Sequence, residues 1–292
     1  MLSVPRASHG DGDLAGAEVF SFLTSLARFV SEAVFDARAP EQANHDAATG
    51  HVKPEPGPPP TPDPVWVDGW WLGATRSPAH PGRVGGAISP WVVVDHTTDM
   101  HPDTFGALLR SWKGSPGAGN GAHFLIGRTP QEGCHQLVPI TRNGQHAGGS
   151  PNHGWFVVGG KLVHPNSVSV GIEVHCAGPV RLVGGQWWYG EGRPWKAQGR
   201  ALPAPDVTPD PLRPGRGWHR PSSYQLEVLQ RLHADLDAVM RPAPAYTIRP
   251  NGEAPAYART APSARVVGHC TLDPDRKSDP GPEIMAAVQS WR

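Results

Sequence analysis

The run Trp91, Val92, Val93, Val94, leading into Asp95 and His96, limits the fold more than any other feature of the chain. An unbroken apolar stretch rich in β-branched residues does not alternate, so both of its faces need cover. A layered α/β sheet with the run as a central strand satisfies that demand. His96 closes the run, and the ends of central strands are where such sheets build their sites. A second candidate strand, residues 167–175, does alternate. Val168, Val170, Ile172 and Val174 share one side, and Gly171, Glu173 and His175 the other. A carboxylate in mid-strand is rarely buried unless paired or functional, the plain alternative being a solvent-facing position on an antiparallel strand.

Residues 266–282 supply the chemistry that these strands lack. Val266 and Val267 read as the end of a buried strand, with His269 just past Gly268. Asp279 precedes Pro280, which pushes it toward extended geometry, and Lys277 two residues earlier should point the same way. Cys270 would face away from His269. His96, His269 and Asp279 together offer two nitrogens and one oxygen from separate elements. That is a donor set for a catalytic zinc with one open position. Glu173 is then placed to act as general base, and Lys277 to hold an oxyanion. Taken singly, each of these residues reads as an ordinary strand end or an exposed turn.

Outside these stretches the chain is less regular. Lys and Arg number 26 and Asp and Glu 26, so no electrostatic footprint for nucleic acid is present. Glycine (35) and proline (34) are abundant, but 11 tryptophans and many short apolar runs argue for a folded, loop-rich domain. Three cysteines are too few for a disulfide framework, although Cys134 and Cys176 would pair if their strands were neighbours.

The first residues lack a basic region followed by an apolar core, so no secretory signal is expected. The chain is expected to be cytoplasmic as synthesised, reaching a periplasm or cell wall only after lysis or specialised export. Residues 14–37 repeat apolar positions at three- and four-residue spacing, an amphipathic helix whose stripe needs a cover. The main domain, a second copy, a partner protein or a lipid surface would serve. Glu18, Arg28 and Glu32 argue against a membrane span. Proline at 54, 56, 58, 59, 60, 62 and 64 makes a stiff spacer. The expected organisation is an N-terminal segment (1–52), a proline-rich linker (53–64) and a catalytic domain (65–292).

Within that domain, residues 65–89 read as an irregular arm. Phe105, Leu108, Leu109 and Trp112 mark a short helix capped by Asp103 or Thr104. Residues 123–127 and 136–139 read as a hairpin. Residues 114–121 form a glycine-rich loop, and 143–149 a loop exposing His146. Residues 178–218 show no periodicity and read as a long surface insertion. Ser222 and Gln225 form a capping box before an amphipathic helix.

Val-Val-Val-Asp-His96, Gly121-Ala-His-Phe-Leu-Ile, Gln136-Leu-Val-Pro, His146-Ala-Gly, Ser169-Val-Gly-Ile-Glu173 and Gly-His269 with Arg-Lys277-Ser-Asp279-Pro-Gly-Pro stand in a recognisable order. From about residue 88 to the C-terminus the chain resembles the zinc-dependent N-acetylmuramoyl-L-alanine amidases of the AmpD and phage-lysozyme type, related to the peptidoglycan recognition proteins. The resemblance implies a mixed central sheet flanked by helices and a Zn2+ ion on His96, His269 and Asp279. It implies Glu173 and Lys277 as catalytic residues, and His146, Asn166 and Arg276 as substrate-binding ones. Its substrate would be bacterial peptidoglycan or a muropeptide. Asp95, Gln145 and Ala122 depart from the family pattern, and the last, where phage enzymes carry a tyrosine, throws weight on Glu173. A non-catalytic peptidoglycan-binding module is the alternative. The N-terminal helix suggests a delivery or immunity partner, as for a lysin or an exported effector, while a recycling enzyme needs neither.

Overall fold

A six-stranded mixed sheet carries the molecule, and the apolar run lies inside it. In the computed structural model the strand order is Val266–Gly268, Val92–Thr97, Ser169–Val174, Phe124–Ile126, Cys134–Gln136, Thr75–Arg76. The first four strands run parallel, Cys134–Gln136 is antiparallel to Phe124–Ile126, and Thr75–Arg76 is parallel to Cys134–Gln136. Residues 65–116, 121–148, 154–189, 200–249, 265–274 and 277–290 are described. The expected helix at 14–37, the spacer at 53–64 and Arg276 lie outside them, as do parts of the glycine-rich loop and of the insertion. Among the described residues no helix is long and apolar enough to cross a membrane.

Both faces of the sheet are covered, as the unbroken apolar run requires. Val93, Val170, Ile172, Val174 and Val266 point to one face, where Leu229, Leu232 and Leu236 of the Ser223–Val239 helix join Ile284 and Val288 of the Pro282–Ser290 helix. The longer helix starts at a complete capping box: Ser222 Oγ accepts from the Gln225 amide and Gln225 Oε1 from the Ser222 amide. On the other face Val92, Val94 and Val267 pack against Phe156, Tyr246 and Leu272 beneath a three-stranded sheet of Lys161–Val163, Trp155–Val158 and Thr247–Arg249. Further along that face, Leu125 meets Phe105 and Trp112 of the Phe105–Gly114 helix. His96 and Glu173 share this face between the two covers.

Several expectations need correction. Residues 65–89 contain ordered short strands: Trp66–Val67 pairs with Trp70–Trp71, Thr75–Arg76 edges the central sheet, and Val84–Ala87 pairs with Arg142–Gly144. Val168 falls outside the alternating strand, in the turn before it, and packs on the opposite face from Val170. Thr104 precedes the Phe105–Gly114 helix without a side-chain capping bond. Cys134, Cys176 and Cys270 are all free and buried. The insertion is a four-stranded antiparallel sheet in the order Gln186–Trp188, Pro179–Val183, Arg216–His219, Val207–Pro209, with its own core of Val180, Trp187, Tyr189, Leu202 and Val207.

That small sheet is tied to both loops leaving the site. Trp218 lies against Gly281, so closely that a Cβ there would meet its ring at 2.7 Å. Thr208 donates to Glu283, and Arg200 stands 3.8 Å from Asp103.

Asp95, unusual in so apolar a strand, has its partner on the covering helix. It is fully buried, and His233 Nε2 lies 3.2 Å from its Oδ1. Removing the imidazole would strand a polar group in the core. His233→Ala is therefore expected to cost about 3 kcal/mol of stability in chemical denaturation, and the double replacement Asp95→Leu with His233→Leu to recover most of it.

Candidate functional site

His96, His269 and Asp279 come together although they sit on three separate elements. His96 is the penultimate residue of Val92–Thr97, and His269 opens the short His269–Leu272 helix directly after the neighbouring parallel strand. That start is helical where an extended chain was expected. Cys270 is buried in the same turn, with its amide donating to the Asp279 carbonyl at 2.7 Å. This backbone bond brings the Asp279 loop back beside His269. Nδ1 of His96 lies 2.9 Å from Nδ1 of His269 and 3.6 Å from Asp279 Oδ2, which is 3.2 Å from His269 Nδ1. All three residues are buried, and their donor atoms lie within 4.8 Å of one another. Such a group can hold a metal ion. Among the described residues no hydrogen-bond partner faces His269 Nε2 or Asp279 Oδ1.

Glu173 stands next to this group by strand register. It pairs with His96 across two adjacent parallel strands, so the two side chains rise together from one face. The residue is half-buried, and its Oε2 is enclosed without a hydrogen-bond partner among the described residues. Burial first, then the carboxylates of Asp279 and Asp99, raise its pKa well above the usual value, and Lys277 offsets part of this. Burial works the same way on Asp279, but the His269 and His96 imidazoles outweigh it and hold that carboxyl below its ordinary range. His96 falls to about 4 through burial and the neighbouring His269, so its resting imidazole is neutral. Lys277 is half-buried, and its charge is felt at both His96 and Glu173.

His146, expected on an exposed loop, is instead buried behind His96. Its Nδ1 is 3.0 Å from His96 Nε2 and its Nε2 is 3.2 Å from Ser169 Oγ. A Cβ on Gly171 would overlap the His146 ring, so glycine at this strand position is what admits the imidazole. Asn166 accepts the Ala147 amide on its Oδ1 at 2.8 Å and so pins the chain beside His146. Two residues outside the sequence reading complete this wall. His123 Nδ1 accepts from the Gly171 amide, and its Nε2 donates to the Arg142 carbonyl. Ser169 Oγ donates to the Pro165 carbonyl. The signal for Ser169 was present in the alternation, since it lies on the same side of its strand as Gly171 and Glu173.

No curated protein matches this chain. Among solved structures it is similar to AmiD, an N-acetylmuramyl-L-alanine amidase from E. coli, crystallised with anhydro-N-acetylmuramic acid-L-Ala-D-gamma-Glu-L-Lys. That likeness has 20% identity over 77% of this chain and 65% of the other, with a TM-score of 0.37. It is also similar to AmpDH3 from Pseudomonas aeruginosa (20% identity, 69% and 61% of the two chains, TM-score 0.38). A third similar structure is PlyL (12% identity, 75% and 91%, TM-score 0.33). The chain thus spans less than two thirds of AmiD and of AmpDH3. A family model described as N-acetylmuramoyl-L-alanine amidase matches residues 87–282, well over half of the sequence, and the chain belongs to that family.

Proposed function

We propose that this chain is a zinc-dependent hydrolase of the amide between N-acetylmuramic acid and L-alanine in peptidoglycan. The convergence of His96 Nδ1, His269 Nδ1 and Asp279 Oδ2 carries the reading. Their separations of 2.9, 3.2 and 3.6 Å bracket the edge of about 3.3 Å that a tetrahedron with zinc–ligand bonds of about 2.0 Å has. The three donors are the right atoms for that ion, and they leave one position for substrate or water. Held there, zinc would polarise the scissile carbonyl and acidify water.

The remaining work falls to the chain's own side chains. Glu173 takes a proton from the attacking water on its carboxylate and returns it to the departing L-alanine nitrogen. Water and amide thus become a free carboxylic acid and a free amine. Lys277 holds the negative charge that grows on the carbonyl oxygen. On this reading Asn166 and His146 organise the wall of the substrate groove, and Arg276, adjacent in sequence to Lys277, contacts substrate. The amphipathic pattern at 14–37 and the prolines at 53–64 support a delivery or immunity partner outside the hydrolase unit.

Peptide released from purified sacculi, and separately from soluble anhydro-muropeptides, tests the reading. Release is expected from at least one of them, lost on chelation and restored by stoichiometric zinc. Binding to sacculi with no new amine under either condition would identify a recognition module instead.

A further inference from the structure

The proton order behind His96 can be traced from a group with no choice in the matter. The Pro165 carbonyl only accepts, so the Ser169 hydroxyl 2.7 Å away must donate to it. With its single proton committed, Ser169 Oγ can only accept from His146 Nε2, 3.2 Å away. His146 is buried against the His96 and His123 rings with no carboxylate in ion-pair reach among the described residues, and burial without a counter-charge disfavours an imidazolium. It is therefore neutral, and with its proton on Nε2 its Nδ1 carries a lone pair. That lone pair faces His96 Nε2 at 3.0 Å, which must then be the N–H. A neutral His96 protonated on Nε2 has its free electron pair on Nδ1. This is the atom 2.9 Å from His269 Nδ1 and 3.6 Å from Asp279 Oδ2.

We propose that Ser169 and His146 are positioning residues that lock His96 in its Nε2–H tautomer and so aim its Nδ1 lone pair at the metal-donor point. The assignment rests on the metal reading above. It makes sense of three features that the donor set alone leaves without a role. Gly171 lacks a Cβ where the His146 ring passes. Asn166 fixes the chain at Ala147. Ser169 is fully buried, with its hydroxyl satisfied on both sides. A ligating imidazole generally has its distal N–H held by an acceptor that sets ring and tautomer. Here that acceptor is a second imidazole, whose own tautomer is set by a hydroxyl anchored on a backbone carbonyl.

The full chain, labelled with 15N-histidine and stripped of metal, would be examined by long-range proton–nitrogen correlation. His96 and His146 are both expected as Nε2–H tautomers before any zinc is added. Zinc affinity would then be measured by chelator competition. Ser169→Ala frees His146 to change tautomer and is expected to weaken binding about 10- to 100-fold. Ser169→Thr keeps the hydroxyl and should stay near the parent. Melting of the zinc-free variants checks that each is folded, and the parent spectrum gives an answer even if Ser169→Ala is not. A proton on His96 Nδ1 in the zinc-free parent, or parental affinity in folded Ser169→Ala, overturns the proposal. A parent that shows both tautomers yet takes up no zinc overturns the metal reading instead, and the two failures are told apart in one experiment.

Discussion

Glu173→Gln is expected to lower peptide release by about 10²- to 10⁴-fold while zinc uptake stays near the parent level. The substitution keeps the shape of the side chain and removes its capacity to carry a proton. Glu173 Oε2 is enclosed without a partner among the described residues. Exchanging it for an amide therefore breaks no bond that holds the resting fold. Nor is Glu173 one of the three converging donors. Its proton affinity is raised by burial first and then by the neighbouring Asp279 carboxylate, the direction that suits a carboxylate which takes up a proton. Single-turnover release from muropeptide, with zinc content measured on the same sample, separates the two contributions. A Gln variant as fast as the parent would place the base elsewhere.

Much of the site could be read from the chain because its residues sit at strand ends with local signatures. His96 ends an apolar run, and His269 and Asp279 flank a short segment punctuated by glycine and proline. Each signature depends on a few neighbouring residues. What stayed hidden depends on register and on distant partners. That Glu173 stands beside His96 follows from a parallel pairing of Ser169–Val174 with Val92–Thr97, and alternation gives the face of a strand but never its register with another. Asp95 looked like a departure from pattern until the helix brought His233 to it across 138 positions. His146 was legible as a loop histidine, while its place behind His96 required knowing that Gly171 passes beneath its ring. The insertion escaped for a different reason. Its strands are three to five residues long, such as Pro179–Val183 and Gln186–Trp188 joined through Gly184 and Gly185, too short for a period of two to rise above composition.

His96→Ala should have the largest effect of all, because it removes one of three donors and also the ring that stands against the other two. His96 Nδ1 faces both His269 and Asp279, and its Nε2 faces His146. Zinc affinity is therefore expected to fall by more than the roughly 100-fold upper range of an outer-shell change, and peptide release to fall to background. A ligand that binds only the native state stabilises it by about 2.7 kcal/mol at a hundred times its Kd. Adding zinc should accordingly raise the melting temperature of the parent and leave that of His96→Ala where chelation leaves it. The comparison also distinguishes a metal centre from a cluster of structural histidines. In the latter case His96→Ala would lower the melting temperature by the loss of buried contacts, the parent would melt alike with and without zinc, and the two perturbations would add. With a metal on these residues they cannot add, since the second removes only what the first has already taken away.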